Sequence, residues 1–246
     1  MITLDQHFLK DAKIVQAMIK AGDVSSTDTV LEIGPGKGIL TKEIALKAGK
    51  VIAIELDESM CEHLRGLPDN VTIVYGNALD EMHRYLFNKI IASIPYSITE
   101  PLFKRMLYLK IDLAVLLTGM DFYELLTGKE SKWSTIGKIF FDIKKIKKVP
   151  STAFEPEPRV DSAIVLFKKR KKELNAHEKM IKEIVLQDDK KTKNALMHAF
   201  MRVRAMTKRQ AREAIAAMGL DAETLDRNAD MLSNEQFSAV AKKLGK

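Results

Sequence analysis

The chain has 246 residues, a net charge of +7 and a hydrophobic fraction of 46%, which is the composition of a folded globular protein with one or two domains. No uninterrupted apolar run approaches the ~18 residues of a membrane span, so we expect a protein that does not cross a membrane. Cys61 is the only cysteine, and the N-terminus lacks the pattern of a secretory signal, so we expect the reducing cytoplasm as its location.

The first half of the chain alternates between helical and β-strand patterns. Helices are predicted at IVQAMIKAG, GILTKEIALKAG, ESMCEHLRGL and TEPLFKRMLYL. Strands are predicted at TVLEIG, KVIAIELD, VTIVYGNAL, KIIASIPY and DLAVLLTG. This alternation predicts an α/β fold with a parallel, doubly wound, Rossmann-like sheet.

The pattern changes after a proline-bearing loop and a predicted edge strand at SAIVLFKK. Only helices follow, at AHEKMIKEIVLQ, KTKNALMHAFMRV, KRQAREAIAAMG and SNEQFSAVAKKLG. We therefore predict one domain over residues 1–170 and a small all-helical domain over residues 171–246. The chain contains no internal repeats.

The positive charge is concentrated in the helical region. Residues 1–168 carry 22 basic and 22 acidic side chains, whereas residues 169–246 carry 18 basic and 11 acidic ones. This basic excess favours a polyphosphate partner such as RNA, although a solvated surface is the alternative interpretation. The run Lys144-Lys145-Ile146-Lys147-Lys148 is open to the same two interpretations, a solvated strand edge or the flank of an RNA channel.

A glycine-rich turn follows the first predicted strand of the sheet. Gly34, Gly36 and Gly38 alternate with other residues in VLEIGPGKGIL, so the backbone can approach a ligand closely at the carboxyl edge of the sheet. Glu55 ends the next strand, where a carboxylate can accept hydrogen bonds from both hydroxyls of a ribose. This pair suits S-adenosylmethionine or a nicotinamide cofactor and does not choose between them.

The segment Ser93-Ile94-Pro95-Tyr96 ends a later strand and suggests the chemistry. Carbonyls beside the proline lack a ladder partner, and with the Ser93 hydroxyl they can accept hydrogen bonds from an adenine amine and stabilise its developing positive charge. The Tyr96 ring offers a face on which an unstacked base can lie. A strand ended by a turn proline and a core tyrosine is the structural alternative.

These motifs together resemble a known family. SIPY is similar to the N-(I/L/V)-P-Y motif of adenine-N6 methyltransferases. The chain resembles, nearly end to end, the ribosomal RNA adenine dimethyltransferases of the KsgA type, which modify two adjacent adenines near the 3′ end of small-subunit rRNA. The matching segments are DQHFL, EIGPGKGILT, AIELD, FEPEPRVDSAIV, KTKNAL and RNADMLSNEQF.

The resemblance implies a methyltransferase domain with S-adenosyl-L-methionine as cofactor and a basic helical domain that docks on RNA. It implies catalytic roles for Ser93, Ile94, Pro95, Tyr96 and Phe154, the last as a second aromatic wall of the adenine slot. It implies cofactor contacts from Gln6, His7, Leu9, Gly34, Gly36, Gly38, Glu55, Leu56, Asn77, Ala78 and Ser93. The expected partner is small-subunit rRNA in a pre-ribosomal particle, bound by a monomer, and we expect no metal site.

The chain departs from the family pattern at three places. Ser93 replaces the family's asparagine, Asn77 replaces an acid, and Thr118-Gly119-Met120 replaces Q-K-E. Three alternatives stay open, and these departures motivate the first of them. The first is a weakly active or inactive RNA-binding assembly factor of the same fold, and the second is a large-subunit rRNA adenine methyltransferase. The third, supported only by the glycine turn and Glu55, is a small-molecule methyltransferase.

Overall fold

The computed structural model describes residues 6–128, 131–187 and 189–245. Asp5, the first residue of the DQHFL segment, lies outside them. The strands are β1 (Phe8–Leu9), β2 (Thr29–Ile33), β3 (Lys50–Glu55), β4 (Val71–Tyr75), β5 (Lys89–Ser93), β6 (Leu113–Gly119), β7 (Phe141–Val149), β8 (Phe154–Glu155) and β9 (Ser162–Lys169). The α-helices are α1 (Ala12–Gly22), α2 (Ile39–Ala45), α3 (Ala78–Glu81), α4 (Thr99–Tyr108), α5 (Met120–Thr127), α6 (Lys132–Phe140), α7 (Ala176–Val185), α8 (Thr192–Val203), α9 (Lys208–Ala217), α10 (Ala222–Asp226) and α11 (Asn234–Leu244).

The chain forms two compact units, one of Met1–Glu124 with Phe141–Lys169 and one of Leu125–Phe140 with Arg170–Lys246. The second unit therefore includes α6, a segment that the sequence interpretation placed within residues 1–170. None of the helices in the described part of the chain has the length and apolar character that a membrane crossing requires.

A seven-stranded sheet organises the first unit, with the strand order β4-β3-β2-β5-β6-β9-β7. The five strands from β4 to β6 are parallel, while β9 and β7 add antiparallel pairs. This confirms the predicted α/β class. Strand order reverses between β2 and β5, and a crevice opens at the carboxyl ends of strands at such a switch point.

The prediction that SAIVLFKK forms an edge strand was wrong. This segment is β9, which lies between β6 and β7 and is buried from Ser162 to Val165 and at Phe167. The edge is formed by β7, whose lysines at positions 144, 145, 147 and 148 are exposed. An apolar strand gains more from two neighbours, whereas a lysine-rich strand tolerates and protects an edge.

The prediction of a helix at ESMCEHLRGL was also wrong. Only a 3₁₀ turn forms there, over Glu58–Glu62, and none of its residues is buried. Helices this short depend on an amphipathic face packed against a core, which this segment lacks. Gly66 follows with a φ of +72°, which ends any helical continuation.

Helix α1 packs against the sheet through a continuous apolar face. Asp11 caps its N-terminus by accepting a hydrogen bond from Lys13 N–H, and Ile14, Val15 and Met18 are buried. Burying each such side chain contributes roughly 1.5–3 kcal/mol before entropy is counted. A group of phenylalanines supplies further core contacts: Phe103, Phe141 and Phe167, with ring centroids 5.9 to 6.0 Å apart.

The second unit is a set of helices with strong sequence signals at their starts. Asn175, Thr207 and Ser233 each form a capping box at the start of α7, α9 and α11. Within this unit Lys132 of α6 is buried, and its ammonium donates hydrogen bonds to the carbonyls of Asp230 and Leu232. The four helices predicted from sequence after residue 171 are all present.

Candidate active site

The carboxyl ends of β2, β3 and β5 line one pocket of about 200 Å³ in the first unit. The glycine turn after β2 forms one wall, and Gly34, Gly36 and Gly38 have φ values of +66°, +52° and +75°. A Cβ added at Gly36 would lie 2.9 Å from Cδ1 of Phe8, too close for an ordinary contact. Glycine therefore gives this wall both its left-handed turns and its bare backbone.

Glu55 joins the glycine turn to the end of β3. Its carboxylate oxygens accept hydrogen bonds of 2.9 Å, Oε2 from Gly36 N–H and Oε1 from Asp57 N–H. The residue is 5% exposed and lines the pocket. Because each carboxylate oxygen can accept more than one hydrogen bond, Glu55 keeps the capacity to bind two hydroxyls of a ligand.

Glu32 is a second carboxyl group in the pocket wall, and the sequence interpretation did not identify it. It is 1% exposed, and its Oε2 has no hydrogen-bond partner among the described residues. Burial, with a smaller contribution from the nearby Glu55 carboxylate, raises the pKa of Glu32 to about 8. The sequence feature that could have identified Glu32 is the single acidic residue in the otherwise apolar segment VLEI.

The N-terminal segment lines another side of the pocket. Strand β1 pairs antiparallel with β8, so that Leu9 lies opposite Phe154. Gln6 Nε2 donates a hydrogen bond of 2.8 Å to Asp57 Oδ2, and His7 Nδ1 lies 2.7 Å from the Pro156 carbonyl oxygen. These contacts bring together segments that are about 150 residues apart in the chain.

The end of β5 enters the pocket as the sequence suggested, and the structure distinguishes its carbonyls. The Pro95 carbonyl accepts a hydrogen bond of 3.2 Å from Ile98 N–H. No described residue donates to the Ile94 carbonyl, although Ile94 N–H is bonded to Leu117 O at 3.1 Å. The Ser93 hydroxyl likewise has no partner among the described residues. Two acceptors therefore remain available here.

The Tyr96 ring has defined neighbours. The His7 ring is nearly parallel to it, at 27° and a centroid distance of 6.3 Å. The Tyr96 hydroxyl lies 2.7 Å from Ser162 Oγ. Phe154 lines the same pocket but is only 3% exposed, since it belongs to the apolar cluster under α1. Its role as second wall of an adenine slot stays a prediction.

The structure brings together all the sequence-predicted site residues except one. The pocket is lined by Gln6, His7, Leu9, Gly34, Gly36, Glu55, Leu56, Asn77, Ala78, Ser93, Ile94, Pro95, Tyr96 and Phe154. Gly38 does not line it; this residue caps α2 and donates its N–H to Pro35 O at 2.9 Å. Asn77 lines the pocket but uses its side-chain oxygen to cap α3 through Leu79 N–H, at 3.0 Å.

The groups in the pocket fit S-adenosylmethionine. Glu55 offers paired acceptors suited to a ribose, and Leu56 offers exposed apolar surface suited to a base. The described residues contain no group of three or more His, Cys, Asp or Glu side chains that could hold a metal ion.

Comparison with known proteins gives consistent results. The family model for ribosomal RNA adenine dimethylase matches residues 2–233. The chain is 34% identical over 235 residues to the "Probable ribosomal RNA small subunit methyltransferase A" of Methanopyrus kandleri, which covers 89% of this chain and 83% of the relative.

Two solved structures share the fold. A dimethyladenosine transferase from Plasmodium falciparum superposes with a TM-score of 0.64 at 22% identity, covering 97% of this chain and 98% of the other. The 23S rRNA methyltransferase ErmE gives a TM-score of 0.61 at 25% identity, covering 97% and 100%. The family resemblance inferred from the motifs is thereby confirmed, and this chain belongs to the ribosomal RNA adenine dimethylase family.

Proposed function

We propose that this protein transfers methyl groups from S-adenosylmethionine to N6 of adenines near the 3′ end of small-subunit rRNA. We propose that its substrate is this rRNA within a pre-ribosomal particle. Family membership confirms the enzyme class and the cofactor that the sequence predicted. The observation that carries the adenine target is the end of β5. There the Ile94 carbonyl, to which no described residue donates a hydrogen bond, and the Tyr96 ring line the same pocket as the glycine turn.

The residues that would hold the cofactor surround the turn after β2. Glu55 would accept the ribose hydroxyls, the backbone of Gly34 and Gly36 would pack against the methionine part, and Leu56 with Asn77 would contact the adenine. When bound, S-adenosylmethionine supplies an electrophilic methyl group on a positively charged sulfur.

The target adenine would be held by acceptors and by stacking. Its amine is a poor nucleophile because its lone pair is conjugated into the ring. The Ile94 carbonyl and the Ser93 hydroxyl would accept hydrogen bonds from its N–H groups and stabilise the positive charge that develops as the lone pair localises. As the N–C bond forms the S–C bond breaks, S-adenosylhomocysteine is the leaving group, and the surplus N6 proton is released to water. Stacking on the Tyr96 ring contributes about 1–3 kcal/mol and fixes the base plane. This assigns catalysis to fixed acceptors rather than to a general base.

The helical unit would supply affinity for rRNA. Lys208 and Arg212 of α9 are exposed, and neither is paired with an acid among the described residues. Such side chains release counterions when they neutralise phosphates, so binding is expected to weaken as salt rises. We propose that the protein acts as a monomer in the cytoplasm, where its single cysteine stays reduced.

The relatives support a small-subunit target over a large-subunit one. The Methanopyrus kandleri relative, at 34% identity, carries a small-subunit name, whereas ErmE, at 25%, is a 23S rRNA methyltransferase. A small-molecule substrate is disfavoured because the family match extends through most of the helical unit, to residue 233.

The test is transfer of tritium from labelled S-adenosylmethionine to 30S particles from a strain that lacks its own dimethylase. We expect label in N6,N6-dimethyladenosine. The Tyr96→Ala variant should lose nearly all transfer and keep cofactor affinity within a few-fold. Tyr108→Ala, which removes an exposed ring outside the pocket, is the matched control.

Equal loss of transfer and cofactor affinity in Tyr96→Ala would contradict the assigned role of the ring. If the natural protein binds both the cofactor and the particle but transfers no label, it is instead an assembly factor whose catalytic site has lost its activity. Ser93 in place of the family's asparagine is the residue that motivates this second outcome.

A further inference from the structure

We propose that Ser162 is a positioning residue for methyl transfer, whose hydroxyl fixes the plane of the Tyr96 ring before the adenine arrives. This inference rests on the proposed function, because it assumes that Tyr96 stacks on the target base. Ser162 does not line the pocket, so it would act only through Tyr96.

The contact between the two residues is short and one of its partners is buried. Tyr96 Oη lies 2.7 Å from Ser162 Oγ, within the usual range for a hydrogen bond between hydroxyls. Ser162 is 0% exposed, so water does not compete for its hydroxyl. The hydrogen bond therefore joins the far end of the ring, rather than its face, to the interior of the sheet.

The backbone of Ser162 is held from both sides. As the first residue of β9 it lies opposite Gly119 of β6 and Val149 of β7. The preceding residue, Asp161, accepts a hydrogen bond of 3.1 Å from Met120 N–H and forms an ion pair of 2.6 Å with Lys148. A hydroxyl placed on such a strand is a rigid reference point.

Tyr96 needs such a reference point because of where its backbone lies. It begins a single 3₁₀ turn, Tyr96–Ile98, directly after Pro95. Its ring lies beside Gly119, where an added Cβ would be 3.6 Å from Cδ1, an ordinary van der Waals contact. The hydrogen bond to Ser162 therefore fixes the distal end of the ring.

A fixed ring plane affects catalysis rather than cofactor binding. The amine must face the Ile94 carbonyl and the incoming methyl group at once, and small misplacements of a reacting group reduce rates strongly. Because the Tyr96 hydroxyl is bonded to Ser162, the ring meets the base already oriented. Loss of the bond should lower kcat while the affinity for S-adenosylmethionine is retained.

The first experiment is a double-mutant cycle with Ser162→Ala, Tyr96→Phe and the double variant, assayed by methyl transfer to 30S particles. Each single change should lower kcat about 3- to 10-fold, the usual range for a neutral hydrogen bond, with the cofactor KM changed less than 2-fold. The double variant should be no slower than either single variant, since all three lack the same bond.

Thr118→Val is the matched control. Thr118 is also 0% exposed, lies on the neighbouring strand β6 and pairs its hydroxyl with Thr99 Oγ1 at 3.0 Å rather than with Tyr96. It should keep the natural kcat while losing about as much thermal stability as Ser162→Ala. Multiplicative losses in the cycle, or an equal loss of kcat in Thr118→Val, would overturn the positioning role.

A second measurement does not depend on activity. In protein with 13C-labelled tyrosine, the aromatic NMR signal of Tyr96 can be assigned among the five tyrosines by its absence from Tyr96→Phe. Ser162→Ala should shift this signal and speed the ring flips, while Thr118→Val should leave both unchanged. An unchanged Tyr96 signal in Ser162→Ala would overturn the inference even where methyl transfer is normal. Conversely, a shifted signal in a protein without methyl transfer would support the contact and contradict the proposed function.

Discussion

Gly36 N–H donates a hydrogen bond of 2.9 Å to the Glu55 carboxylate, so the turn after β2 is joined to the end of β3 by the side chain that we expect to hold the ribose. The other carboxylate oxygen accepts Asp57 N–H at the same distance. Glu55 thus shapes the pocket as well as lining it. A change at this residue should act on the glycine turn and on the ligand together.

We expect Glu55→Gln to weaken S-adenosylmethionine binding by about 10- to 100-fold. The amide can accept hydrogen bonds with only one oxygen and carries no charge, so a ribose hydroxyl loses a charged partner worth roughly 1.5–3 kcal/mol. Isothermal titration calorimetry measures this loss. Glu58→Gln, an exposed acid three residues away, is the control and should bind the cofactor normally. Equal affinities in the two variants would contradict the role of Glu55.

Substitutions at two glycines can distinguish the cost of backbone strain from the cost of a steric clash. Gly36 and Gly66 both have positive φ, but an added Cβ would lie 2.9 Å from Phe8 at Gly36 and would meet nothing within 4 Å at Gly66. Gly66→Ala should cost only about 1 kcal/mol of stability. Gly36→Ala should cost more and should also reduce cofactor affinity at least 10-fold, because the turn must move away from Phe8.

Thermal unfolding and cofactor titration of both variants check this pair. A Gly36→Ala protein that binds S-adenosylmethionine as Gly66→Ala does would mean that the turn can shift without consequence for the ligand.

The parts of the fold that depend on local pattern could be predicted from the sequence. The β2 turn, Glu55 and the β5 end were identified because glycine spacing, a strand-terminal acid and a proline break are visible in short segments. Four of the five α-helices that follow residue 171 were predicted from their apolar periodicity, and the short α10 was not. The resemblance of these motifs to a known family then predicted the reaction, methylation of adenine N6.

Features that depend on partners distant in the chain were not predicted. The edge strand is β7 rather than β9. The sequence did not predict this, because the position of a strand in the sheet depends on which strands pair with it. Glu32 was missed because a single acid in a strand does not reveal that its side chain faces a pocket. The contact between Tyr96 and Ser162 joins residues 66 positions apart, and no short pattern encodes such a pair.

We expect Ser93→Asn to raise kcat for methyl transfer. The structure leaves the Ser93 hydroxyl without a partner among the described residues, and the longer amide of the family's asparagine places a stronger acceptor nearer the target amine. One well-placed polar group at a reacting centre is worth on the order of 10²-fold, so a gain of about 10-fold is a realistic expectation. Ser93→Ala should lower kcat, and cofactor affinity should stay the same in both. A slower Ser93→Asn variant would show that the pocket is built around serine.

The buried ion pair between Lys89 and Asp28 supports the opposite end of the sheet from the pocket. Lys89 Nζ lies 2.9 Å from Asp28 Oδ2. Burial alone would raise the pKa of Asp28, but hydrogen bonds from Lys89, Asn88 and Ser25 outweigh it and hold this pKa well below its ordinary value. Stability from this group is therefore present above pH ~4, the unfolded-state pKa, and is lost as pH falls toward the folded-state pKa.

Lys89→Met should lower the free energy of unfolding by about 3–5 kcal/mol at pH 7, because it leaves a buried carboxylate without its cation. Urea unfolding at pH 7 measures this loss. Lys50→Met, at the exposed start of β3, is the matched control and should cost little. Similar losses from the two substitutions would contradict the importance of the buried pair.

Glu32 gives the protein a pH dependence of the opposite sign. Burial, reinforced by the Glu55 carboxylate, raises the pKa of Glu32 from 4.5 to about 8, so the folded protein retains a proton that the unfolded chain releases. Stability from this group is complete below pH ~4.5 and is lost as pH rises to about 8, by up to about 1.4 kcal/mol per pH unit. The glutamine in Glu32→Gln cannot titrate. The free energy of unfolding of this variant, relative to that of the natural protein, should therefore increase from pH 5 to pH 8 and then level off. Urea unfolding across that range, with the exposed Glu62→Gln as control, measures the difference. Parallel stability curves for the natural protein and Glu32→Gln would mean that Glu32 is already ionised in the folded state.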